Sequence, residues 1–255
     1  MYEENIPISQ AIHVSTSPER IRNFCPESKN AHTMAAAFHR LCQSHTHVFL
    51  AGPAGSDFEL WAREYDCARS GGDESLLVLE PGMLEKGRIN DLLSLCNRKS
   101  LPSAILVEGL DRMRAREQEV LNHHLSDGEP WPTVFFYALP DFPVDGSVPA
   151  GYPEFLAKRA REALFEIPAL SRRRCDMAHF VWNLIDEYSH RTGSAKLTAF
   201  DDDAIALLVD YAWPGNYAEI KRVIRLLVRT CETGGMVTRD VLENAILTLS
   251  TSPIS

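Results

Sequence analysis

Four short apolar runs, His47–Ala51 (HVFLA), Leu76–Leu79 (LLVL), Ala104–Val107 (AILV) and Thr133–Ala138 (TVFFYA), constrain the fold more than any other feature of the chain. Runs of this length and uniformity read as strands buried on both faces. Segments with helical periodicity separate them: Phe58–Arg69, Leu84–Asn97 and Ala115–Leu125, with Ala31–Gln43 ahead of the first strand. A further helix over Glu154–Glu162 and a short strand over Ala163–Ile167 follow a Pro/Gly-rich stretch, Leu139–Pro153. Strands alternating with helices predict an α/β core, a mostly parallel sheet sandwiched by helices. That core is assigned to residues 31–170, behind a loose N-terminal arm over residues 1–30 without clear period.

After Pro168 the pattern changes. Cys175–His190, Asp201–Tyr211, Asn216–Cys231 and Thr238–Leu249 all carry helical periodicity, with Thr198 and Thr238 at helix starts and Pro214-Gly215 as a break. A small all-α domain is therefore expected over residues 171–255. The chain has 255 residues, enough for a core without disulfide or metal staples. Its net charge of −9 argues against coating DNA by general phosphate attraction. No apolar run reaches the roughly 18 residues of a membrane span. The opening MYEENIPISQ lacks the basic and apolar regions of a secretion signal, and six scattered cysteines form no C-x-x-C pair. A cytoplasmic protein with reduced thiols is expected.

A strand, a glycine turn and a helix in that order is where a phosphate-binding loop sits, its backbone N–H groups facing the phosphates. The full signature is G-x-x-x-x-G-K-S/T. Here the stretch reads Gly52-Pro53-Ala54-Gly55-Ser56-Asp57-Phe58-Glu59. Asp57 stands at the second glycine and Phe58 at the lysine. A carboxylate repels phosphate and an aryl ring cannot balance its charge. Taken alone, the segment reads as an ordinary strand-to-helix turn. Magnesium-dependent hydrolysis also wants Asp-Glu after a buried strand, one carboxylate for the metal shell and one to polarise water. The third strand instead ends Val107-Glu108-Gly109-Leu110-Asp111, and Gly109 has no side chain to act as a base.

The clearest motif lies further on. Trp213-Pro214-Gly215-Asn216-Tyr217-Ala218-Glu219-Ile220 resembles W-P-G-N-V-R-E-L of the sigma-54-dependent transcription activators, the bacterial enhancer-binding proteins. Glu166-Ile167-Pro168-Ala169-Leu170-Ser171-Arg172-Arg173-Arg174-Cys175-Asp176 resembles their E-I-P-P-L-R-E-R-R-E-D stretch, at matching spacing. The resemblance extends over roughly residues 30–250. It implies an AAA+ domain: a P-loop-type parallel sheet sandwiched by helices, followed by a helical lid. Family members form rings, hydrolyse ATP at subunit interfaces and push on sigma-54 through a G-A-F-T-G-A loop.

Residue by residue, the resemblance implies a vestigial nucleotide site at Gly52, Gly55, Phe58, Glu108, Gly109, Pro140 and Ala218. The phosphate-loop lysine falls on Phe58 and the catalytic pair on Glu108-Gly109. The sensor asparagine falls on Pro140 and the lid arginine on Ala218. One trans-acting arginine falls on Pro153, while Arg159 persists. No G-A-F-T-G-A occurs between Glu59 and Ala104, and no helix-turn-helix segment is expected after Ile246. Each missing group ordinarily supplies several kcal/mol of transition-state stabilisation. The expectation is a domain without hydrolysis and without cofactor, acting as a regulatory protein-interaction module linked to bacterial transcription. Its partner is expected to be another protein, an active AAA+ relative or a transcription regulator, rather than DNA or a membrane; homo-oligomerisation stays open. The alternative is an ATP-binding sigma-54-type activator ATPase with a site rebuilt from Glu108, Asp111 and Arg159.

Other candidates are weaker. Lys158, Arg159, Arg161, Arg172, Arg173 and Arg174 outnumber Glu162 and Glu166, so Arg159, Arg172, Arg173 and Arg174 are candidates for contacting an acidic partner, or nucleic acid in a third reading. Lys221, Arg222, Arg225 and Arg229 read as an exposed helix face. His45, His47, His123 and His124 lack the spacing of a metal site, and no nucleophile elbow occurs. Trp61, Trp131, Trp182 and Trp213 read as packing residues.

Overall fold

The computed structural model describes residues 13–15, 29–70, 76–85, 88–91, 103–126, 133–145, 147, 149, 151–192, 199–230 and 235–250. The four apolar runs form the centre of a six-stranded sheet. In chain order the strands are β1 (His13–Ser15), β2 (His47–Gly52), β3 (Leu76–Leu79), β4 (Ala104–Val107), β5 (Val134–Pro140) and β6 (Leu164–Glu166). Their spatial order is β1-β3-β4-β5-β2-β6. Every pairing is parallel except β1 with β3. Helix α1 (Lys29–Ser44) precedes β2, and α2 (Phe58–Ser70), α3 (Ala115–Ser126) and α4 (Glu154–Ala160) lie in the connections that a parallel sheet requires.

Because side chains alternate along a strand, each run serves two faces. Phe49, Ile105, Phe135 and Tyr137 join a buried cluster with Leu121 of α3 and Leu156 of α4. On the other face Phe38 of α1 meets Trp61 of α2 at 5.2 Å, Phe136 at 5.8 Å and Phe165 at 5.0 Å between ring centroids. Such tilted and edge-on ring pairs add to simple area burial.

The second compact unit comprises residues 21–35, 53–57 and 168–255. Its helices are α5 (Met177–Thr192), α6 (Asp202–Asp210), α7 (Asn216–Thr230) and α8 (Arg239–Ser250). Helix α7 buries Tyr217, Ile220, Val223, Ile224, Leu227 and Val228, a three/four-residue rhythm that makes it the centre of this unit. Asp201 caps α6 by accepting a hydrogen bond from the Ala204 N–H at 2.7 Å.

Several expectations need correcting. The N-terminal arm is not wholly loose, since His13–Ser15 adds a strand to the sheet. Residues 16–28 of the arm, and Thr198, lie outside the described residues. Strand β5 continues past Ala138 to Pro140. Of the predicted helix Leu84–Asn97 only residues 88–91 are described as helical; residues 92–97 lie outside the description. The lid is not purely helical either: β7 (Ala199–Phe200) pairs in parallel with β8 (Met236–Val237). The segment 53–57, assigned from sequence to the α/β core, packs with the helical unit. Trp61 and Trp213 are buried, but Trp182 is 42 % exposed, and Trp131 is not among the described residues. Among the described side chains, Cys42 is a buried free thiol, which burial pushes up to a pKa of about 12.

Phe136 is fully buried between helices while Val144 is 54 % exposed. Phe136→Ala should therefore lower the unfolding free energy by about 3–5 kcal/mol, and Val144→Ala by less than about 0.5 kcal/mol, in urea denaturation.

Candidate functional site

In the sheet unit, parallel strands bring their carboxyl ends to one edge, the usual ligand-binding edge of an open α/β sheet. Gly52 ends β2 in register with Pro140 of β5. The Gly52 carbonyl accepts from Asp141 N–H at 2.8 Å, and the Pro140 carbonyl accepts from the Tyr152 hydroxyl at 2.9 Å. Glu108 follows β4, exposed, with its N–H donated to the Leu79 carbonyl at 3.0 Å. Gly109 turns the chain with φ +81°. Asp111 follows, its carboxylate 3.7 Å from Arg112. Phe58, the first residue of α2, is buried at 8 % exposure.

In the helical unit the loop 53–57 meets the N-terminus of α7. Gly55 adopts φ +77°, and a Cβ there would overlap the Gly215 carbonyl. Ala218 N–H donates to the Gly55 carbonyl at 2.9 Å. Gly55 and Ala218, two of the predicted site residues, are thus in direct contact. Asn216 Nδ2 donates to Ser56 Oγ at 3.2 Å, while its Oδ1 accepts from Leu170 N–H at 2.8 Å. These bonds hold Asn216 at φ +53°, a left-handed conformation asparagine tolerates better than most residues. Glu219, 5 % exposed, reaches back to the Gly215 N–H at 2.7 Å and accepts from the Tyr211 hydroxyl at 3.1 Å. Trp213 Nε1 donates to the Leu208 carbonyl at 2.9 Å. The W-P-G-N motif is therefore a hydrogen-bonded clamp around the loop.

The charges differ from the sequence expectation. The Asp57 carboxylate is buried and ion-paired with Lys221 of α7. Burial pulls the Lys221 ammonium down, but Asp57 more than offsets this, so it is held above its usual range. Arg225 lies over the Tyr188 ring, 5.1 Å from its centroid. The predicted solvated stripe of α7 is thus engaged at two of its four positions. Arg173, proposed as a partner contact, is 4 % exposed. It bonds Asp176 at 2.9 Å and the Tyr217 hydroxyl at 3.0 Å, so it is an internal strut. Arg174 is exposed and 3.4 Å from Asp210; Arg172 is exposed. Arg159 lies 3.6 Å from Glu162. Among the described residues no group of three or more His, Cys, Asp or Glu side chains is placed to hold a metal ion. Asp57–Lys221, Ser56–Asn216 and Arg173–Tyr217 escaped sequence reading because their partners lie far apart in the chain; only the unexpected Asp57 hinted at a compensating cation.

The family model of the AAA+ ATPase lid domain matches residues 171–253. The Nif-specific regulatory protein of Klebsiella pneumoniae is 32 % identical over 76 residues, 30 % of this chain and 14 % of that protein. The chain thus matches a small part of this curated relative's length. NtrX of Brucella abortus in complex with ADP superposes with a TM-score of 0.61 at 17 % identity, over 88 % of this chain and 55 % of that one. Its complex with ATP gives 0.60 at 18 %, over 91 % and 59 %. Residues 171–253 thus match an AAA+ ATPase lid domain, and the chain shares the fold of the NtrX structures. Among its described residues no helix is long and apolar enough to cross a membrane.

Two measurements test this geometry. Gly55→Ala should destabilise the protein by at least about 1–3 kcal/mol in thermal or urea unfolding, because both φ and the Gly215 carbonyl oppose a side chain. His47 stacks on Phe135 and sits 2.8 Å from the Tyr137 hydroxyl. Burial first, and the Arg159 charge second, hold its pKa at about 4 rather than 6.5. The unfolded chain therefore takes the proton first. The His47 contribution is intact above pH 6.5 and is lost as pH falls towards 4, on the order of 1–3 kcal/mol. Unfolding midpoints between pH 7 and 4.5 should show this slope, and His47→Asn should reduce it.

Proposed function

We propose that this AAA+ domain is catalytically inactive and serves as a protein-interaction module in transcription regulation. One observation carries the reading: the loop that would cradle a triphosphate is bound by its own lid helix. The Gly55 backbone is closed by Ala218 N–H and Gly215, and the loop's charge is a carboxylate, Asp57, answered by Lys221. The position of the phosphate-binding lysine is a buried phenylalanine, Phe58. A triphosphate brought to this loop would meet a carboxylate and an aryl ring, and Lys221, the cation that reaches the loop, is already engaged by Asp57. The residues present do not fit the nucleotide, and no hydrolytic step is derived from them.

Kinship with the Nif-specific regulatory protein supports the regulatory setting. With neither bound nucleotide nor turnover to contribute, the remaining work for the fold is recognition. The partner is a protein, either an active AAA+ relative or a transcription regulator. Calorimetric titration with ATP and magnesium should give no saturable heat up to about 1 mM nucleotide. Sub-micromolar binding, or phosphate release that disappears in Glu108→Ala, would overturn the proposal in favour of a rebuilt ATPase using Glu108, Asp111 and Arg159.

A further inference from the structure

The lid carries a surface that its own fold leaves open. Five of the six large apolar side chains exposed among the described residues belong to the helical unit: Trp182, Ile205, Met236, Val241 and Leu247, the sixth being Val144. Two of them, Trp182 (42 % exposed) and Ile205 (44 %), line a groove of about 170 Å³ between α5 and α6. Val181, Phe200 and Val209 form its walls. Trp182 is braced edge-on against Phe200, with ring centroids 5.8 Å apart, so the indole is held in place while remaining open on one side. Met236, the register partner of Ala199 at the groove's β7 wall, is 57 % exposed and extends the apolar surface. A contiguous apolar patch of this kind, lined by a rigid tryptophan and an adaptable methionine, marks a binding surface.

Charge decides what fits it. On α6, Asp202 lies on the same helical stripe as Ile205 and Val209, at spacings of three and seven. Asp202 and Asp203, in the first turn of α6, are exposed, so two carboxylates border the groove on the side of Ile205. Asp210, at the far end of α6, is answered by Arg174. An apolar trough bordered by carboxylates along α6 is the complement of an amphipathic helix with apolar anchors at every third or fourth residue and lysine or arginine beside them.

We propose that the α5–α6 groove of the lid is the docking site for a basic amphipathic helix of the partner protein. The proposal rests on the interaction-module reading and gives it a surface and a partner chemistry. It is tested separately from nucleotide binding, so each can fail alone.

The test uses the full chain and two synthetic helical peptides of identical leucine pattern, one with lysines and one with glutamates on the polar face. Titration by fluorescence anisotropy should show saturable binding of the lysine peptide, weakening with salt, and none of the glutamate peptide. Amide chemical-shift changes should cluster on α5, α6 and the β7–β8 pair. Ile205→Asp is the decisive variant. It adds negative charge while removing an apolar anchor, so groove docking should weaken about tenfold, whereas attraction to an acidic protein would strengthen. Trp182→Ala should weaken binding similarly, and Asp202→Asn with Asp203→Asn should flatten the salt dependence while leaving the melting temperature in place. Tighter binding to Ile205→Asp, shifts spread over the whole surface, or equal binding of both peptides would overturn the proposal. So would a concentration-dependent dimer in sedimentation that Ile205→Asp abolishes, because the occupant would then be a second copy of this chain.

Discussion

The approach of the Gly55 backbone to the Gly215 carbonyl, sealed by the hydrogen bond from Ala218 N–H to the Gly55 oxygen, governs the arrangement of the helical unit. Two glycine positions and a left-handed asparagine are needed to let two backbones come so close. Around that contact the side chains arrange themselves as supports. Glu219 holds the Gly215 N–H, Tyr211 holds Glu219, and Asn216 ties Ser56 to Leu170. Each of these groups is buried or partly buried, and each polar atom named has a partner, which is what makes such a network stabilising rather than costly.

The same contact explains the redistribution of charge. A loop carrying Asp57 where the phosphate-loop signature has glycine would, left alone, bury an uncompensated carboxylate. Lys221, one turn into α7 from the clamp, removes that penalty. The two charges are therefore coupled through space: a carboxylate in the loop, and a cation used by the lid to hold it. Arg173 is treated in the same way. Its guanidinium is spent on Asp176 and Tyr217, leaving Arg172 and Arg174 as the exposed members of the triplet.

Much of the core was legible because the physics that forms it is local. Uniform apolar runs cannot be anything but doubly covered strands once helices flank them, and HVFLA, LLVL, AILV and VFFYA all fall within strands of the sheet. His13–Ser15 was not legible, since three residues with one apolar side chain carry no period, and only pairing with β3 makes them a strand. The two-residue pair β7–β8 failed for the same reason. At the candidate site, the glycines and the missing lysine could be read directly. Asp57–Lys221 could not, because nothing in a linear pattern links positions 57 and 221. Trp182 shows the opposite failure: a tryptophan at helical spacing suggests packing, and the structure leaves it 42 % exposed.

The antiparallel triplet His13–Ser15 has one more implication. Strand β3 would otherwise border the sheet with a row of free backbone donors and acceptors along Leu76–Leu79, a segment made wholly of leucine and valine. Such a border recruits strands from neighbouring molecules. A short stretch near the chain's beginning thus acts as a selvedge, finishing the fabric so that it does not knit to the next piece.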